Sequence, residues 1–135
     1  MIRGDKMDTL GIWIFMVIMA LPIPLIMIGV GKYMLGSGSE EINDWLGYRT
    51  SFSKKNKDTW AFAQKYYGRL LYKPGMFILV GSILTMIPVF GMSSDTIAVA
   101  GCVVESVQAL YLLAGIIPTE RALHKTFDKT GKRLD

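Results

Sequence analysis

Hydrophobic and polar positions are segregated into long blocks along this chain. Leu10 to Gly31 (LGIWIFMVIMALPIPLIMIGVG) carries no charged side chain. At about 1.5 Å per helical residue it reaches across a hydrocarbon layer of roughly 30 Å. Met76 to Met92 is also uncharged but close to the shortest workable length, and Ile97 to Ile117 is long enough with one charge, Glu105, inside it. The pattern predicts one all-α integral membrane domain over residues 1–135. Its three transmembrane helices cover about 10–31, 76–92 and 97–117, joined by a loop at 32–75 and followed by a tail at 118–135. A chain of 135 residues cannot easily surround three helices that are apolar on every face, which argues against a soluble core.

Within the loop the period changes. From Asp58 to Tyr72, Trp60, Ala63, Tyr67 and Leu70 recur at intervals of three or four, while Lys65 and Arg69 stand apart. This predicts an amphipathic interfacial helix between spans one and two, capped by Asn56 and broken by Pro74 and Gly75 before the second span. The GSGS stretch from Gly36 to Ser39 marks the end of span one. Pro22 and Pro24 in the first span and Pro88 in the second each remove a backbone donor and predict bent helices.

Charge fixes the expected orientation. The 15 Lys and Arg residues outnumber 11 Asp and Glu, and they concentrate between the first two spans and after the third. The positive-inside rule puts loop and tail in the cytoplasm and the amino terminus outside. The first apolar run exceeds the ~7 to 15 residues of a signal peptide and its flanking charges balance, so it reads as an uncleaved helix. Cations beside membrane spans, diluted by Glu40, Glu41, Asp44 and Asp58, point to lipid headgroups and away from nucleic acid.

Candidate chemistry is sparse. One thiol, Cys102, forms no internal disulfide and no metal spacing is present; the lone His124 has no nucleophile motif around it. The sequence therefore predicts no catalytic centre, no metal and no cofactor. Glu105 is the exception to an apolar background, about 12 Å inside span three. An ionised carboxylate at such depth costs on the order of 2.5 to 3.5 kcal/mol, so it is expected to face the bundle with Gln108. Ala98, Gly101, Cys102, Glu105, Gln108 and Ala109 form the expected inward stripe, with Ser82 or Thr85 as hydrogen-bond partners and Val103, Leu110 and Leu113 toward lipid. Three uses remain open: bundle glue, a polar cavity that recognises a cationic or polar group or exchanges a proton, and a homo-oligomer whose Glu105 side chains meet at a shared axis.

Two further stretches carry a family pattern. Ile42 to Trp60 (INDWLGYRTSFSKKNKDTW) places Asn43, Gly47, Arg49, Thr50, Asn56 and Trp60 at fixed spacing. Pro118 to Arg133 (PTERALHKTFDKTGKR) adds Pro118, Glu120, Phe127, Asp128 and Gly131. Together they resemble the SdpI family of bacterial membrane proteins. The resemblance implies a multi-pass protein of the bacterial cytoplasmic membrane, with a role in immunity to a secreted, membrane-active peptide toxin met on the outer side. It also implies signalling through a cytoplasmic regulator. The alternative is a small transporter or channel component built on Glu105 and Gln108. Loop and tail are expected to pack into one inner platform. There Arg49 binds a lipid phosphate or a carboxylate, or ties the loop to helix-end carbonyls or to Glu120.

Overall fold

The computed structural model describes residues 2–134. Five helices follow one another: α1 (Ile2–Met19), α2 (Pro22–Leu35), α3 (Lys57–Met86), α4 (Ser94–Ala114) and α5 (Ile116–Thr126), with a single 3-10 turn at Ser37–Ser39. The described residues contain no β-structure beyond an isolated antiparallel bridge between Phe127 and Arg133.

Among the described residues, two stretches are long and apolar enough to cross a membrane: Met7–Leu35, which joins α1 to α2, and Ser94–Thr126, which joins α4 to α5. The three-span pattern differs from this at α3. The surface helix and the second span expected from the sequence are one continuous helix, which carries Lys57, Asp58, Lys65, Arg69 and Lys73 before Pro74. Pro74 and Gly75 do not break it. Proline leaves the carbonyl four residues back without its helical donor, and here the Tyr111 hydroxyl of α4 donates to that carbonyl, Leu70 O, at 2.6 Å. The far end of α3 is also shorter than expected. It stops at Met86, so Pro88 lies in the following turn and not inside a span. The expected tail begins as helix α5, with Thr119 and Leu123 buried and Arg121 and Lys125 exposed; this is an amphipathic helix missed by the sequence reading.

Helix directions follow from which residues meet. Gly31, Gly68 and Gly75 hold α2 against α3 in an antiparallel seam: Gly31 faces Tyr72, Gly68 faces Leu35, and Gly75 faces Ile28. Small residues allow such close approach between membrane helices. On the other side α4 runs antiparallel to α3 and alongside α1, with Gly101 against Met16. Two cores result. One contains Met27, Met34, Tyr48, Phe52, Ala63, Leu71, Leu123 and Phe127; the other contains Met16, Ala20, Met86, Ile97 and Val104. Outside them Phe77, Val103, Leu110 and Leu113 are exposed, part of an apolar belt too large for a water-facing surface and suited to lipid.

The glycine seam makes a paired prediction. A Cβ on Gly31 would lie 2.7 Å from the Tyr72 backbone nitrogen, whereas one on Gly29 meets nothing within 4 Å. Gly31→Ala is therefore expected to cost about 1–3 kcal/mol through overpacking, and Gly29→Ala to be neutral or to gain up to about 1 kcal/mol of helix propensity. Reversible unfolding in mixed micelles measures both, and equal effects would contradict the seam.

Candidate functional site

The platform starts with a turn. Asn43 Oδ1 accepts the backbone N–H groups of Trp45 (3.0 Å) and Leu46 (2.7 Å), closing an Asx turn. Gly47 follows at φ +115°, and a side chain there would meet Gln64 Oε1. Gln64 is fully buried and treats residue 48 as a neighbouring strand would. Its Oε1 accepts the Tyr48 N–H at 2.8 Å, and its Nε2 donates to the Tyr48 carbonyl at 2.6 Å.

That clamp aims Tyr48 at α5. The Tyr48 hydroxyl donates to Glu120 Oε1 at 2.7 Å and lies 3.4 Å from the Ile116 carbonyl. Thr50 Oγ1 donates to the same carboxylate oxygen. Burial, followed by the bond to Glu120 and its charge, pushes the Tyr48 phenol well above its ordinary range. The other Glu120 oxygen lies 3.7 Å from His124 Nε2, whose ring packs against Phe52. Loop and tail thus form one platform, but Arg49 is not the tie. It is exposed between Tyr48 and Thr50, with no hydrogen-bond or ion-pair partner among the described residues.

A second junction lies beside it. Asn56 caps α3 in a capping box with Thr59, and its Nδ2 donates to Gly131 O at 2.7 Å. The Lys55 ammonium reaches the Lys129 carbonyl. Asp128 closes the tail turn by accepting from Thr130 Oγ1, Thr130 N and Lys132 N, bonds that hold its carboxyl below the usual carboxylate range. Phe127 is buried edge-on to Phe62. Trp60, also buried, donates its indole N–H to Gly38 O at 2.9 Å and fastens α3 to the turn after α2. Pro118 sits in the first turn of α5. Tyr48 and Gln64 were missed from sequence. The available signal for Gln64 was its position one helical turn after Trp60 on the buried face.

Within the bundle, Gln108 Nε2 donates to Ala20 O (3.0 Å) and Ser82 Oγ (2.8 Å). Ala20 O is the carbonyl whose helical donor would be residue 24, a proline. Thr85 instead bonds back to Gly81 O of its own helix. The inward face of α4 is Ile97, Gly101, Val104 and Gln108; Cys102 and Ala109, expected in that stripe, are exposed, because the helix is rotated toward the Val104 side. Val103, Leu110 and Leu113 do face outward. Glu105 is half-buried. Its Oε1 and Gln108 Oε1 are buried oxygens with no hydrogen-bond partner among the described residues. Two acceptors about one turn apart on α4 suit a proton, a cation or a ligand N–H. No group of three or more His, Cys, Asp or Glu among the described residues could hold a metal.

Apolar helix stretches of spanning length, lipid-suited belts and a polar platform define an all-helical membrane protein. The sequence model of the SdpI/YfhL protein family matches residues 40–119. The match runs from just after the 3-10 turn to the first turn of α5, more than half of the 135 residues, and the chain belongs to this family. No curated protein and no solved structure matches it. The loop motif lies inside the matched region, whereas Glu120, Phe127, Asp128 and Gly131 lie just beyond it.

Gly47 gives the sharpest test of the platform. Gly47→Ala forces a side chain into a left-handed backbone and against Gln64, and is expected to cost about 1–3 kcal/mol. Limited proteolysis of the 40–56 loop should accelerate in step. An unchanged cleavage rate and unchanged stability would show that the Gln64 clamp does not hold the turn.

Proposed function

We propose that this SdpI-family protein confers immunity against a secreted, membrane-active peptide and signals its presence across the bacterial cytoplasmic membrane. In this reading the bundle crosses three times, α3 supplying the middle span. The amino terminus lies outside, and the platform and carboxyl terminus lie in the cytoplasm. The distribution of cations supports that orientation.

The observation that carries the proposal is the Tyr48–Glu120–Thr50 junction. Helix α4 bears Glu105 and Gln108, and only Gly115 separates it from α5, which bears Glu120. A peptide that presents an ammonium or amide donor to Glu105 Oε1 or Gln108 Oε1 competes with the contacts of α4 to α1 and α3. A shift of α4 moves α5, and with it the platform that faces a cytoplasmic regulator. The two buried, unpartnered oxygens also favour a second reading, a small transporter or channel component that passes a proton or cation past Glu105.

Survival of a sensitive bacterium exposed to the peptide toxin separates the readings. The parent chain is expected to raise survival, and Glu105→Gln, at matched membrane levels, to abolish that protection. Killing unchanged by the parent chain would overturn immunity. A cation or proton flux in liposomes that disappears in Glu105→Gln would then establish the transport reading.

A further inference from the structure

The turn from Ile42 to Arg49 exposes side chains that water does not favour. Trp45 is 87% exposed, and Ile42 and Leu46 are exposed beside it. The turn is held in shape from within: Asn43 closes it, and Gln64 clamps Tyr48 at its end. Arg49 adds an exposed guanidinium without a partner among the described residues.

Its height in the fold identifies what covers it. The Tyr48 hydroxyl reaches Ile116 O and Glu120, so the turn is level with the first turns of α5. There the exposed surface changes from Ile116 and Ile117 to Arg121 and Lys125. The same change falls at Lys32 on α2 and at Lys73 on α3, and Gln64, which clamps Tyr48, lies nine residues before Lys73 on the side away from the belt, so the turn sits on the headgroup side of this change. This is the inner rim of the apolar belt, the depth at which tryptophan and arginine meet headgroups.

We infer that the 42–49 turn is a membrane anchor: Trp45, with Ile42 and Leu46, enters the inner acyl boundary, and Arg49 binds a phospholipid phosphate. The only charges within 42–49 are Asp44 and Arg49, which cancel. Apolar surface therefore drives insertion, and Arg49 selects the phosphate by paired charge-assisted hydrogen bonds, with no requirement for an anionic lipid. The inference is independent of the toxin and transport readings.

The test uses the full chain in phosphatidylcholine bilayers, taking the Trp45 emission as the difference between parent and Trp45→Phe. Trp45 is so exposed that the substitution leaves folding intact, and circular dichroism checks this. The expected emission is blue-shifted relative to tryptophan in water and quenched by phosphatidylcholine brominated near the headgroup. Arg49→Ala should move it toward the red several-fold more than Arg49→Lys, and added inorganic phosphate should change nothing. Emission at the aqueous wavelength, quenched by acrylamide and not by brominated lipid, would overturn the anchor and leave the turn as a surface for a soluble partner. Insertion indifferent to Arg49→Ala, or a response to inorganic phosphate, would overturn the lipid-phosphate contact.

Discussion

Within a hydrocarbon layer no water satisfies a backbone carbonyl, and this chain interrupts its own helices with proline. Two of these interruptions leave an acceptor that takes its donor from another helix. Ala20 O, opposite Pro24, takes Gln108 Nε2. Leu70 O, opposite Pro74, takes the Tyr111 hydroxyl. Helix ends pose the same demand: Met86 O at the end of α3 takes the Trp13 indole N–H at 2.7 Å, and Leu112 O beside the α4–α5 break takes the Tyr67 hydroxyl at 2.7 Å. Tyr67 and Tyr111 thus form a reciprocal pair across α3 and α4. The donors come from other helices, so satisfying the backbone also sets how the helices register.

That register carries the platform. Because Pro74 is tolerated, α3 continues from the belt into the loop region and delivers Trp60 and Gln64 to the buried side of the 40–56 segment. Trp60 fixes the turn after α2, Gln64 fixes Tyr48, and Tyr48 and Thr50 meet Glu120 on α5. A continuous helix makes the platform part of the bundle instead of a loose loop. The family motif is then intelligible position by position: Asn43 closes, Gly47 admits Gln64, Thr50 docks, Asn56 caps, Trp60 fastens, and Arg49 alone is left facing outward.

Local signals in the sequence were legible where they depended on neighbours. The apolar blocks, the Asn56 cap, the end of α2 at the GSGS stretch and the inward face of Gln108 all follow from composition or short-range spacing. The continuity of α3 did not, because the donor that rescues Leu70 O lies 41 residues away on another helix. Helix α5 was hidden by its polar side chains, since Glu120, Arg121, His124 and Lys125 interrupt its apolar positions. The stripe on α4 was right at Gly101 and Gln108 and wrong at Cys102 and Ala109, a small error in rotation about the helix axis. Arg49 drew attention as a charged motif residue, yet the contacts to Glu120 are made by its two neighbours. Charge is visible in a sequence, while the direction of a side chain on an irregular turn is set by a distant glutamine.

The most direct test of carbonyl rescue is a double-mutant cycle between Tyr111→Phe and Pro74→Ala, read by unfolding in mixed micelles. Loss of the hydroxyl in the parent is expected to cost about 1 kcal/mol. With alanine at 74 the helix regains its own donor for Leu70 O, and the same loss should cost distinctly less. An equal cost in both backgrounds would contradict the account, since the tyrosine would then be stabilising the bundle by something other than the carbonyl that the proline leaves open.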